Sequence, residues 1–251
     1  MLGALIDAGV DIAKMQAGID SLGLPTCRLV ADTVSKCGFR ATNVNVQYEP
    51  EHVHRHLHHI TEMIDNSQLT ENQKDLAKRI FTKLGQAEAQ VHGCSIEKVH
   101  FHEVGAVDSI ADIVGTAIGW DLLGVDHVVC SPIPTGIGTV KIAHGTVSIP
   151  APATAELLAN IPLAQSDIAA ELTTPTGAAI VATIVNTFGS LPAMQIKTVA
   201  CGAGDRDLEN QPNVLRLLIG EIESTVKSSD DQTHDEVWVL ETNIDDMTGE
   251  A

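Results

Sequence analysis

The segment from Val99 to Gly115 concentrates side chains that can bind a metal ion. His100 and His102 alternate with the apolar Val99 and Phe101, which predicts a strand with both imidazoles on one face. Neutral imidazole together with carboxylate suits Ni²⁺, Zn²⁺, Fe²⁺ or Mn²⁺. A single histidine is more often an ordinary strand-end residue, but two on one face beside carboxylates favour a metal site.

Three carboxylates follow the two histidines. Glu103 comes first, and Gly105 then permits a turn. Asp108 is predicted to cap the helix indicated by apolar residues from Ile110 to Ile118, and Asp112 lies one turn further along. All three carboxylates are candidate catalytic groups, as metal ligand or as base. The alternative is that Asp108 only caps the helix.

A second histidine-rich segment runs from Glu49 to Ile64. Alternate histidines would share one face of a strand, yet apolar residues at helical spacing behind Pro50 favour a helix. On that helix one flank carries His52, His56, His59 and Met63, and the other carries His54 and His58. Each flank then offers an i, i+4 imidazole pair, a spacing that suits nickel, copper or zinc. The alternative is a solvated tract that binds metal only adventitiously. The predicted ligands are His52, His54, His56, His58 and His59.

A further pair, Glu88 and His92, lies one turn apart at the end of a long predicted helix. That helix begins at a capping box formed by Thr70 and Gln73. Because the helix ends just before the central strand, the pair could complete a metal shell with His100 and His102. An ordinary surface pair at a helix end is the alternative.

Two loops contain groups that can bind an anion. Threonines and glycine precede the helix predicted from Ala178, where free backbone amides stabilise negative charge. The alternative is ordinary N-capping by Thr174 or Thr176, which is a far more frequent role of threonine than phosphate binding. Arg206 follows a Gly-x-Gly turn and can bind an anionic group, with pairing to Asp205 or Asp207 as the alternative. The predicted substrate-binding residues are Thr174, Thr176, Gly177, Gly202, Gly204 and Arg206.

Composition limits the class of protein. The chain has 251 residues, 44% of them hydrophobic, and a formal charge of −18 from 15 basic and 33 acidic residues. Such a charge disfavours binding to nucleic acid or to an anionic membrane. Five scattered cysteines without a Cys-x-x-Cys pair predict a reduced, cytoplasmic protein.

Strand-length and helical patterns alternate between Thr26 and Glu221, which predicts an α/β fold with flanking helices. The hairpin-like region from Val128 to Ile149 requires a mixed sheet. We expect residues 1–222 to form a metal- and substrate-handling domain, 223–236 a polar linker, and 237–251 the first strand of a second, α+β domain.

With these motifs the chain resembles the N-terminal part of the LarC family, nickel insertion proteins that mature the cofactor of lactate racemase. The resemblance extends over nearly all residues. The motifs that carry it are Ala87-Glu88-Ala89, Val91-His92-Gly93, the segment from His100 to Gly115, Pro150-Ala151-Pro152-Ala153-Thr154, Thr174-Pro175-Thr176-Gly177-Ala178-Ala179, Gly202-Ala203-Gly204 and Thr242-Asn243-Ile244-Asp245-Asp246-Met247.

The resemblance implies a CTP-dependent nickel insertase, a cyclometallase of the lyase class. Such an enzyme places Ni²⁺ into pyridinium-3,5-bisthiocarboxylic acid mononucleotide and so forms the nickel-pincer nucleotide. His100 and His102 would then present the metal, while Glu103 or Asp112 would act as ligand or base. The segment from His52 to His59 would load nickel.

The resemblance also implies parts beyond this chain. Family members usually have a strand and a Gly/Asp-rich turn before Leu2, and they continue past Asp246 into a domain that binds CTP and Mn²⁺ or Mg²⁺. We therefore expect activity to need that C-terminal half, from the same protein or as a frameshift product. Other expected partners are the pyridinium mononucleotide, the lactate racemase apoprotein and a second copy of this chain. A non-catalytic nickel chaperone or store, and a metal-dependent hydrolase of phosphorylated small molecules, stay open as alternative classes.

Overall fold

The computed structural model of the protein describes residues 1–49, 55–99, 101, 105–209, 211–222 and 236–242. The helices are α1 (Leu2–Asp7), α2 (Ile12–Asp20), α3 (Leu57–Asp65), α4 (Glu71–His92), α5 (Val107–Leu123), α6 (Pro152–Leu157) and α7 (Pro175–Ile184), with a 3-10 turn at Ile96–Lys98. The strands are β1 (Cys27–Lys36), β2 (Phe39–Tyr48), β3 (His127–Cys130), β4 (Ile133–Pro134), β5 (Thr139–Ile142), β6 (Gly145–Ser148), β7 (Leu163–Ala164), β8 (Thr187–Phe188), β9 (Met194–Ala203), β10 (Val214–Ile222) and β11 (Glu236–Thr242).

Seven of these strands form one mixed sheet in the order β1-β2-β9-β10-β11-β3-β8. The pairs β1–β2, β9–β10 and β10–β11 are antiparallel, whereas β2–β9, β11–β3 and β3–β8 are parallel. Strands β5 and β6 form a separate antiparallel hairpin. The predicted α/β class, with a mixed sheet and flanking helices, is confirmed.

Local sequence signals explain where the elements that carry the site begin and end. The hairpin β1–β2 turns at Cys37 and Gly38, whose positive φ angles of 49° and 84° match the twist of the flanking strands. Helix α4 begins at the predicted capping box, in which Thr70 and Gln73 bond each other's backbone amides. It ends at Gly93, which adopts the left-handed conformation.

The helices form two layers on the sheet. Helices α1, α2 and α5 contact the strands, and α4 lies beyond α5, where it also contacts α3, α6 and α7. Asp121 near the end of α5 accepts hydrogen bonds from Thr70 (3.1 Å) and Gln73 (2.8 Å) at the start of α4. This contact fixes α4 and α5, the two helices that carry the predicted acidic site residues, relative to each other.

The strand predicted to open a second domain lies within this sheet. β11 pairs with β10 on one side and with β3 on the other. Residues 223–235 and 243–251 lie outside the described residues. The division of the chain into residues 1–222, a linker at 223–236 and a second domain from 237 therefore stays a prediction.

Helix α1 is attached to the sheet by the carboxylate of Asp7, whose side chain is 6% exposed. One carboxylate oxygen accepts from Arg40 (2.8 Å) and Thr42 (2.9 Å), and the other accepts from the backbone N–H of Cys201 (2.8 Å). Gly202 allows the close approach, since a Cβ there would lie 2.3 Å from the backbone nitrogen of Ala4. Asp7 thereby joins α1 to both β2 and β9.

We expect D7N to lower the free energy of unfolding by about 2 kcal/mol, because an amide has one acceptor oxygen and its NH₂ cannot accept on the other side of the contact. Urea unfolding followed by circular dichroism measures this loss. D32N, a change of the same type at an exposed position on β1, should leave the midpoint unchanged. Equal midpoints for D7N and D32N would contradict the anchoring role.

We expect G202A to cost about 1 to 3 kcal/mol of stability, because its Cβ would displace the backbone of α1. Gly189→Ala is the matched control, since a Cβ there meets nothing within 4 Å. Thermal unfolding of both variants is the measurement. A G202A protein as stable as G189A would show that Gly202 has no packing role.

Candidate functional site

Arg55 brings the two predicted metal-binding segments together. Its carbonyl accepts a hydrogen bond from the N–H of Phe101 (3.1 Å), and the two residues form an antiparallel bridge. Its guanidinium donates to the carbonyl of Gly105 (3.0 Å) in the interior. Arg55 and Phe101 are both buried. Arg55 therefore contacts the residues on both sides of positions 102–104 of the central motif.

A second contact links the same segments. The Nδ1 of His56 lies 2.9 Å from the carbonyl oxygen of Val99. The same imidazole accepts the backbone N–H of His59 in the capping box at the start of α3. The ring of His56 is therefore held between the start of α3 and the backbone of the central motif.

The three described histidines of this segment form one cluster. Ring centroids are 5.4 Å apart for His56 and His58, 5.5 Å for His56 and His59, and 3.9 Å for His58 and His59. The rings of His58 and His59, predicted on different flanks of the helix, are thus in contact. Desolvation, with the neighbouring imidazoles of His58 and His56, lowers the pKa of His59 and favours its neutral form, whose Nδ1 accepts the backbone N–H of His56 (3.1 Å).

The predicted helix of this segment starts later than expected. Arg55 is extended in its bridge with Phe101, so α3 begins at Leu57 and His56 occupies the N-cap position. The helix predicted to run from Pro50 is therefore wrong at residues 55 and 56. His52 and His54 lie outside the described residues, and their pairings stay predictions.

The central motif is described only in part. Val99 and Phe101 are 2% and 1% exposed, consistent with the apolar face predicted for them. Within the described residues, only the Arg55–Phe101 bridge represents the predicted strand. His100, His102 and Glu103 lie outside the described residues, so their roles as ligands or base stay predictions.

Asp108 does not cap helix α5, contrary to prediction. The chain already turns into the helix at Ala106, which is the N-cap residue, so Asp108 falls within the first turn. There its carboxylate accepts from the N–H of Ser109 (2.8 Å) and is favoured by the helix dipole. Burial, the charge of Asp108 and a hydrogen bond to it raise the pKa of Tyr48, at the end of β2. Tyr48 is a site neighbour that the sequence did not indicate.

The carboxyl of Asp112, a predicted ligand or base, has a shifted pKa. Burial raises the pKa of its carboxyl; the charges of Asp108 and Asp205 act in the same direction, and the charge at Met1 opposes them. A carboxyl whose pKa moves towards neutrality is better matched to accept a proton. Burial, followed by nearby carboxylates, raises the pKa of the Cys27 thiol to about 11. Cys27 therefore stays protonated and is a poor metal ligand.

Glu88 and His92 form the predicted i, i+4 pair, with Oε2 and Nε2 3.4 Å apart. The ring of His92 also lies 4.8 Å, between centroids, from that of His144 in the turn between β5 and β6. The three side chains line a cavity of about 120 Å³, which Pro175 at the start of α7 also lines. The sequence indicated only a turn at His144, because no spacing relates it to α4.

The predicted anion-binding residues have structural contacts in this fold. Thr174 caps α7 by accepting from the N–H of Gly177 (3.2 Å), and Gly202 packs against α1. Arg206 is exposed, and the cation that pairs with the neighbouring Asp207 is Lys36. The substrate-binding roles of Thr174, Thr176, Gly177, Gly202, Gly204 and Arg206 stay predictions.

Across the described part of the chain, no three His, Cys, Asp or Glu side chains are already arranged to hold a metal ion. The same residues contain no helix that is both long and apolar enough to cross a membrane. The five cysteines are all free.

Comparison with known proteins places the chain in a family. The family described as nickel insertion protein matches residues 1–251. A putative nickel insertion protein of Rhodopirellula baltica is 54% identical over 99% of this chain. Proteins named pyridinium-3,5-bisthiocarboxylic acid mononucleotide nickel insertion protein, from Geobacillus kaustophilus and Desulfitobacterium hafniense (strain DSM 10664 / DCB-2), are 44% and 46% identical over the whole chain.

The chain spans 62 to 64% of the length of these relatives. No solved structure matches it significantly. The match over every residue, together with the high identity to several relatives, shows that the chain belongs to the nickel insertion protein family.

Proposed function

We propose that this chain handles metal and substrate in a nickel insertase that places Ni²⁺ into pyridinium-3,5-bisthiocarboxylic acid mononucleotide. The observation that carries the proposal is the double contact of Arg55 with Phe101 and Gly105, which sets the histidine cluster beside the central motif. The proposal is also supported by two relatives whose names include this mononucleotide.

The reaction requires three events at one place. Ni²⁺ must lose water, meet the two thiocarboxylates, and bond to the pyridinium carbon as that carbon loses its proton. Imidazole and carboxylate ligands exchange readily enough to deliver the ion, whereas a thiolate cage would retain it. Burial raises the pKa of the Cys130 thiol to about 12, so Cys130, like Cys27, does not supply a thiolate.

We assign roles accordingly. His56, His58 and His59, together with His52 and His54, load nickel. His100 and His102 present it to the substrate, and Glu103 or Asp112 takes the proton. The raised pKa of Asp112 favours this residue as the base.

The remaining parts of the proposal concern the complete protein. A downstream domain binds CTP with Mn²⁺ or Mg²⁺ and joins this chain as the C-terminal half or as a frameshift product. The nickel-pincer nucleotide then passes to the lactate racemase apoprotein, and the enzyme is a cytoplasmic homo-oligomer of the lyase class. The extent of the relatives beyond this chain supports the need for that further domain.

A non-catalytic nickel chaperone or store is the second candidate function. The clustering of His56, His58 and His59 at one helix start favours it, because such a cluster can bind metal without any substrate. The two functions predict different effects on nickel insertion when the histidines are replaced.

We expect replacement of His52, His54, His56, His58 and His59 by alanine to reduce the number of Ni²⁺ ions bound. Insertion should continue at high nickel, because mass action by-passes a loading site. Replacement of His100 and His102 should abolish insertion at every nickel concentration, since a reaction site cannot be by-passed. Calorimetric titration and the absorbance of the product measure the two effects in the complete protein.

His127→Ala, at the start of β3, serves as a control for histidine replacement. Full insertion by the His100 and His102 variant would refute the proposed reaction site. The chaperone function would then be favoured.

We expect D112N to abolish insertion while raising stability at neutral pH. A carboxyl whose pKa is raised on folding stabilises the fold below its ordinary pKa of about 3.9, and that contribution is lost as pH rises through the raised value. An asparagine at position 112 stays neutral, so the variant does not lose stability as the pH rises. The free energy of unfolding, measured with urea at pH 4 and at pH 8, should therefore fall less for D112N than for the unchanged protein.

D32N, which removes an exposed carboxylate on β1, is the control and should keep both insertion and the pH-dependent fall in stability of the unchanged protein. D108N should keep insertion but show a smaller fall, because the charge of Asp108 contributes to the raised pKa of Asp112. Active D112N would exclude Asp112 as the base.

A further inference from the structure

We propose that Glu88, His92 and His144 form a binding site for a divalent transition-metal ion at the wall of the cavity between α4 and the β5–β6 hairpin. This site is additional to the cluster of His56, His58 and His59. Nickel as its ion rests on the proposed function; the existence of the metal site does not.

Two separations, that of Glu88 from His92 and that of His92 from His144, are close to those expected around one ion. Two donor atoms about 2.1 Å from one ion, at tetrahedral angles, lie about 3.4 Å apart. The Oε2 of Glu88 and the Nε2 of His92 are 3.4 Å apart. Two imidazoles on one ion have ring centroids about 4.6 to 5.3 Å apart, by the same bond lengths. The rings of His92 and His144 are 4.8 Å apart.

The elements that carry the donors differ in rigidity. Glu88 and His92 are on α4, and their side chains are 18% and 35% exposed. His144 is exposed in a hairpin turn. Since no triple of the described residues already holds ligand geometry, the proposal requires a rotation of the exposed His144 imidazole onto the helical pair.

The cavity explains what such an ion could do. Its other walls are mainly apolar, with Ile142, Val147 and Pro152 among them. Its volume of about 120 Å³ leaves room for a small ligand. Three protein donors leave coordination positions of the ion open, as in metal sites that act on a ligand. The site therefore suits an ion that receives a small ligand from the cavity.

Histidine footprinting tests each residue of the site separately. The experiment uses the full chain, and Ni²⁺ is the only ligand added. Diethyl pyrocarbonate modification, read by mass spectrometry, should show His92 and His144 protected together at one midpoint concentration of Ni²⁺. H144N should raise the midpoint for His92 by about tenfold or more, and E88Q should raise it for both histidines, as expected for loss of a ligand.

Two variants control for indirect effects. E71Q changes an exposed glutamate at the other end of α4, and H127N changes a histidine on β3; neither should move the midpoint. Circular dichroism checks that every variant is folded. Protection of His92 that persists unchanged in H144N, or no protection of either residue, would overturn the proposal. Failure of nickel insertion in the complete protein with joint protection intact would refute the proposed function and leave this site supported.

Discussion

The buried contact between Arg55 and the carbonyl of Gly105 is the constraint on which the candidate site depends. A guanidinium that leaves water must have its charge and donors satisfied, and replacing it would leave a buried carbonyl without its donor. Its backbone bridge to Phe101 holds the same two segments a second time. The start of α3 and the entry to α5 are therefore fixed relative to each other by the interior of the protein.

The layers beneath this contact supply its rigidity. Helix α5 packs between the sheet and α4, and α1 is held to two strands through Asp7. Asp108, which hydrogen-bonds Tyr48, and Asp112 lie one turn apart on α5, and their charges oppose each other at a cost to stability. A cost of this kind is typical of a site kept for its chemistry.

Much of the fold followed from local signals. Residues close in sequence determine the turn at Cys37 and Gly38, the capping box at Thr70 and the ends of α4. Such local features can be predicted from the spacing of apolar, capping and turn residues. The misplaced start of α3 and the missed cap at Ala106 both depend on Arg55 and its partners, which lie far apart in sequence. Tertiary contacts of that kind override local propensity.

The same distinction applies to the site. Glu88 and His92 were predicted as a pair because one helix turn separates them, while His144 reaches His92 only through the packing of a hairpin. No period in the sequence relates a turn at residue 144 to a helix that ends at residue 92. The partial burial that shifts the pKa values of Cys27 and Asp112 likewise arises from packing between elements.

The contact between the ring of His56 and the carbonyl oxygen of Val99 links the histidine cluster to the backbone of the central motif. In the tautomer whose Nδ1 carries the proton, a cation on Nε2 would withdraw electron density from the ring and make the Nδ1–H a stronger donor. The carbonyl oxygen belongs to the peptide group that joins Val99 to His100. In the proposed loading step, metal binding at the cluster would therefore polarise this peptide group and alter its hydrogen bonding.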